Sequence, residues 1–71
     1  MSEHFPRRLK QLRESRGWSV NDLAEHCRGK RGTSRAMLFL LEAGDRNPTL
    51  PALRSLAKVF GVSVGELVDG K

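Results

Sequence analysis

The amino-acid sequence predicts an all-α fold of five short helices, and three observations carry that expectation. Tyrosine is absent and no run of alternating β-branched residues occurs, so no segment has the period of a half-buried strand. Apolar residues instead recur at spacings of three and four, as in Leu50, Leu53, Leu56, Ala57 and Phe60. The punctuation also falls at helix ends: Ser19, Ser34, Thr49 and Ser63 precede the periodic segments, and Gly17, Gly44 and Gly61 follow them.

The first helix is expected over residues 6–16. Pro6 suits a first turn, Phe5, Leu9 and Leu12 form the apolar stripe, and Gly17 ends it. The second, over 19–27, opens on Ser19 with Asp22 three residues on, a capping box with the shorter acid, flanked by Trp18 and Leu23 as a hydrophobic staple. Cys27 follows Leu23 by four, a core spacing for a small hydrophobe. The third, over 34–43, starts at the cap Ser34 and stops at Gly44. "DRNP" is turn chemistry, after which Thr49 caps a fourth helix over 49–60. Ser63 and Glu66 make a full capping box, with Val62 and Leu67 as staple, and open a fifth helix over 63–69 that frays near Gly70. No linker or repeat divides the chain, so residues 1–71 are expected to form a single domain.

A chain of 71 residues buries only about 60% of the surface its unfolded form exposes, so its core is small. Hydrophobic content of 38% and charged content of 30% describe a folding chain, not a disordered one. No apolar run approaches the roughly 20 residues of a membrane span, and "MSEHFPRRLK" lacks the apolar core of a signal peptide. A lone cysteine, Cys27, makes no intrachain disulfide, and a cytoplasmic, reducing location is expected. The net charge of +5 is concentrated: residues 7–35 hold nine Lys or Arg against three acids, Glu14, Asp22 and Glu25. Such an excess fits a polyanionic partner or a solvated basic face, and charge alone leaves both open.

A second and third helix joined by a glycine-containing turn, in a basic half, make a helix-turn-helix candidate. From about Phe5 to Val68 the chain resembles the small DNA-binding domain of Cro/cI-type phage repressors and their bacterial, XRE-like relatives. "LKQLRESRGWSVNDLA" and "TSRAMLFLLEAGDRNPTLPALRSLAKVFGVSVGEL" carry the resemblance. Its most specific part is E-x-G-x-x-N-P at Glu42, Gly44, Asn47 and Pro48, followed by "LAKVFGVSVGEL". The fold implied is a five-helix, lambda-repressor-like domain with an extended turn between helices two and three. The function implied is that of a transcriptional regulator, a repressor that binds double-stranded DNA at an inverted-repeat operator as a homodimer. Its setting would be the nucleoid of a bacterium, with a bacterial or phage gene as the source.

The resemblance also implies roles. Arg13 pairs with Glu42 as a structural ion pair, helped by the match between a guanidinium fork and a carboxylate. Ser19 at the start of helix two, Thr33 and Ser34 at the mouth of helix three, and Arg46 and Asn47 in the next loop fall at phosphate-contact positions. Helix three is the reading element, with Arg35, Ala36, Met37, Phe39 and Leu40 facing outward and Leu38 and Leu41 inward. Arg35 suits guanine, and the apolar residues suit thymine methyls. Phe39 and Leu40 stand where relatives are usually polar. Relatives also place a turn glycine four residues after the alanine matched by Ala24, whereas Gly32 lies eight after it. The insertion falls within "RGKR" and brings Arg28, Lys30 and Arg31 beside helix three, as a phosphate clamp or as a solvated loop. Val64, Leu67 and Val68 near the end of the chain are the expected dimer seam.

Enzymatic chemistry is not expected. His26 and Cys27 are neighbours on a helix and point about 100° apart, which suits neither a nucleophile–base pair nor a shared metal. No phosphate-binding glycine loop, zinc spacing or cofactor motif occurs. The alternative to DNA binding is a protein-binding module of antitoxin or antirepressor type that uses the apolar face of helix three.

Overall fold

The computed structural model describes residues 4–70. The helices in chain order are α1 (His4–Ser15), α2 (Val20–His26), α3 (Arg35–Ala43), α4 (Leu50–Phe60) and α5 (Val64–Asp69). Ser19, Ser34, Thr49 and Ser63 are extended, and each accepts a hydrogen bond from the backbone N–H three residues on. Counting these caps as helical puts α2 to α5 one residue early, because an N-cap makes the first intrahelical bond without adopting helical dihedrals. α1 is already helical at His4, so Pro6 lies within its first turn instead of opening it.

The core draws on every helix. Phe5 and Leu9 of α1, Leu23 of α2, Leu38 and Leu41 of α3, Leu56 and Phe60 of α4, and Leu67 of α5 form one buried cluster. Cys27 fills it too, and burial pushes its thiol above the usual range, which keeps it neutral. α1 packs against α3 and α5, α2 against α3, and α4 against α5. α3 therefore has partners on its inner side and an outer side without one. Leu67 corrects an expectation: it is wholly buried and cannot form a dimer seam. α5 lies on α1 and α4, so the stripe that looked uncovered near the chain's end is covered by the domain itself. Val64 and Val68 are half-buried against the same core.

Two arginines from the basic half hold the α1–α2 corner together. Arg13 Nε and Nη2 donate to the two carboxylate oxygens of Glu42 at 2.7 and 3.0 Å, while Nη1 donates to the Trp18 carbonyl at 2.6 Å. The hydrogen bond to Glu42 holds the Arg13 guanidinium above its ordinary pKa. Arg16 Nη2 donates to the Phe60 carbonyl at 2.8 Å, capping the end of α4, and its guanidinium lies 5.6 Å from the Trp18 ring centre. Trp18 stacks on His26 at 3.9 Å between ring centres. Both arginines belong to the scaffold, so the basic excess of residues 7–35 overstates the charge left for a partner. No helix among the described residues is long and apolar enough to cross a membrane.

Candidate nucleic-acid interface

The outer side of α3 is formed by what its sequence leaves over. Leu38 and Leu41 point into the core, and Met37 packs half-buried against it, so Met37 does not belong to the fully outward set expected. Helical spacing then puts Arg35, Ala36, Phe39 and Ala43 on the open side, all exposed, with Leu40 half-buried at its edge. Phe39 keeps 53% of its surface accessible. Arg35 Nη1 donates to Asn21 Oδ1 of α2 at 3.1 Å, which spans the two helices and orients the guanidinium. Nothing in the sequence links Asn21 to Arg35 across the intervening turn, and its positioning part emerges only in three dimensions.

The serines and threonine expected on phosphates fare differently. Ser34 is exposed at the mouth of α3, its Oγ accepting from the Met37 N–H at 3.2 Å. Ser19 already donates its N–H to Asp22 Oδ2 at 2.9 Å and accepts from the Asp22 N–H at 3.1 Å. The first of these bonds holds the Asp22 carboxyl below its ordinary range, so a carboxylate sits at the start of α2. Ser19 thus offers a phosphate only its hydroxyl proton, beside a like charge. Thr33 is a clearer correction: it is 4% exposed, and its hydroxyl lies 3.0 Å from the Lys30 carbonyl and 3.3 Å from that of Cys27. Thr33 closes the turn internally and faces no partner. It stands just before the cap Ser34, the staple position whose side chain turns inward toward the fourth residue of the helix, here the buried Leu38. That register was the available signal.

The long turn between α2 and α3 folds back onto α4. Lys30 donates its N–H to the Cys27 carbonyl at 2.9 Å, and Ser55 Oγ of α4 lies 3.2 Å from the Arg31 carbonyl and 2.9 Å from that of Pro51. Gly32 has φ +70° and lies so close to α4 that an added Cβ would sit 2.9 Å from that of Ala52. Lys30 and Arg31 consequently line an open groove of about 670 Å³ together with Arg54 and Lys58 of α4 and with Pro51, Val62 and Val64 among others. Arg54 and Lys58 were missed in the sequence, although their four-residue spacing on the polar side of α4 was visible there. Arg28 is exposed and lies 3.8 Å from Glu25, a contact worth little in water. Arg46 and Asn47 are exposed in the α3–α4 loop. Arg7 and Arg8 lie elsewhere, beside Val68 and Asp69 at the end of α5.

Among the described residues, no three His, Cys, Asp or Glu side chains converge to hold a metal. The arrangement offers instead two helices joined by a turn, an open outer face on the second with Arg35 at its start, and a cationic groove between the turn and α4. The helix-turn-helix domain family model matches residues 4–69. The chain belongs to this helix-turn-helix family. Similar proteins are the HTH-type transcriptional regulators DdrOP3 of Deinococcus deserti, 40% identical over 89% of this chain, and SutR of Escherichia coli, 45% identical over 86%. SinR of Bacillus subtilis, also an HTH-type transcriptional regulator, is 35% identical over 90% of the chain. This helix-turn-helix chain spans 46%, 32% and 55% of the lengths of those three relatives. No solved structure is a significant match.

Proposed function

We propose that the chain is the DNA-binding part of a transcriptional regulator, which sets α3 into the major groove of double-stranded DNA. The observation that carries this reading is the open outer face of α3, with Arg35 held at its entrance by Asn21. Phosphates meet the cations of that turn and of α4, together with Ser34, Arg46 and Asn47. Counter-ion release then supplies most of the affinity, and contacts from α3 supply the selectivity. The names of the three relatives agree with a regulator of transcription.

Repression from an inverted-repeat operator by a homodimer completes the proposal. One helix reads about half a site, and paired helices lie one DNA turn, roughly 34 Å, apart. The exposed part of Val68 is the seam that remains once Leu67 is assigned to the core and Val64 to the cationic groove. Selection of bound duplexes from random sequence tests this. The winners are expected to share an inverted repeat with half-site centres about 10 base pairs apart. Enrichment of a lone half-site would remove the homodimer, and no enrichment would remove sequence-specific binding.

A second reading rests on one observation. Phe39 and Leu50 are large apolar side chains with 53% and 52% of their surfaces exposed. Exposed apolar surface of this kind also marks docking sites for proteins, which is the antitoxin or antirepressor alternative.

A further inference from the structure

The outer face of α3 is chemically lopsided. Arg35 carries the hydrogen-bonding side chain on that face, and it sits in the first turn. Ala36, Phe39, Leu40 and Ala43 continue the face with carbon alone. The carboxylate of Glu42, on the same helix, is turned inward and held by both arms of Arg13. Charge selects what can cover this face. Arg35 opens it, Asp45 and Arg46 follow its far end, and Lys30, Arg31, Arg54 and Lys58 line a groove between the α2–α3 turn and α4, which leaves the surround predominantly cationic. A polyanionic duplex complements that surround.

Base edges in the major groove answer to an apolar side chain in only one favourable way. Guanine and adenine present hydrogen-bonding groups, and cytosine presents an amino group; an alkyl or phenyl side chain strips water from these without replacing the lost bonds. Thymine alone among the four presents a methyl group, which gains by being buried. 5-Methylcytosine carries the same methyl at the same ring position. We propose that α3 reads C5-methyl groups, so that each half-site pairs one guanine, held by Arg35, with thymines met by Ala36, Phe39 and Leu40, and that 5-methylcytosine substitutes for those thymines. Where a cytosine stands at one of those positions, its methylation therefore strengthens binding, which makes the methylation state of such sites an input to the regulator.

This rests on the proposed seating of α3 in the major groove, and the test separates the two. The duplex recovered by selection is made in four forms, with thymine, deoxyuridine, cytosine or 5-methylcytosine at the half-site thymine positions, each paired with its complement. Binding is followed by fluorescence anisotropy. Deoxyuridine removes only the methyl and is expected to weaken binding about fourfold per contacted methyl, the change that burying one such group brings. 5-Methylcytosine is expected to bind about fourfold more tightly than cytosine at the same position. Phe39→Ala, an exposed change, should shrink both differences while the helical circular dichroism stays the same. If the duplex binds but all four forms bind alike, methyl readout is overturned and groove seating survives. If a methyl effect is present but Phe39→Ala and Leu40→Ala leave it untouched, the assignment to this face is overturned. If no form binds, even in dilute buffer, the DNA reading fails with it, and a protein partner takes the face.

Discussion

Glu42→Ala is expected to destabilise the domain by about 3–5 kcal/mol, the cost of stranding one member of a buried ion pair. The side chains of Arg13 and Glu42 retain only 11% and 10% of their accessible surface, so water cannot take over the lost contact. Removing the carboxylate strands a guanidinium whose third arm is still held by the Trp18 carbonyl. A domain of 71 residues has a total stability of about 4–10 kcal/mol, so this one change takes a large share of it. The urea midpoint followed by circular dichroism measures the loss. Glu42→Gln retains the shape and one acceptor and should lose less. Arg13→Met combined with Glu42→Leu should recover most of the stability, because neither charge is then left alone. A loss below about 1 kcal/mol for Glu42→Ala would reduce the pair to an ordinary surface contact.

Gly32→Ala is expected to cost about 2–5 kcal/mol, from two separable sources. Its φ of +70° lies in the left-handed region, where a Cβ costs about 1–2 kcal/mol. The same Cβ would also lie 2.9 Å from Ala52 Cβ and 3.2 Å from Ala52 Cα, and backbone cannot swing aside as a flexible side chain does. Relief requires the turn to lift from α4, which draws the Arg31 carbonyl away from Ser55 and parts Lys30 and Arg31 from Arg54 and Lys58. Gly29→Ala is the control. It has φ +81° with nothing within 4 Å of the added Cβ, so it carries the backbone strain alone. Thermal or urea unfolding of both variants gives the contact contribution as a difference. Equal losses would contradict the docking of the turn on α4.

Local chemistry made the helices legible. A hydroxyl cap, an acid three residues on and a glycine at the end act within one or two turns, so α2, α4 and α5 could be placed without any tertiary knowledge. The Arg13–Glu42 link joins residues 29 apart in sequence and came from resemblance, not periodicity. What stayed hidden depended on how separate segments meet. Leu67 looked available because a segment near a chain end usually faces water, and Thr33 because the resemblance puts it at a phosphate-contact position, yet α5 lies on α1 and α4 and the turn closes over its own threonine. The reverse holds for Arg54 and Lys58, which share a groove with Lys30 and Arg31 only because the α2–α3 turn folds back toward α4. Asn21 is the same kind of case, a surface amide until Arg35 is brought beside it.

The most direct measurement is a salt titration of binding to a double-stranded DNA fragment, made with the unaltered chain, Lys30→Ala/Arg31→Ala and Phe39→Glu. The unaltered chain should bind in dilute buffer, with log affinity falling linearly against log salt. Loss of the two turn cations should flatten that line by up to about 2, and a carboxylate at the exposed position 39 should weaken binding about tenfold or more at every salt concentration. Absence of binding in dilute buffer, or three coincident lines, would contradict the placement of α3 and its cationic turn against DNA.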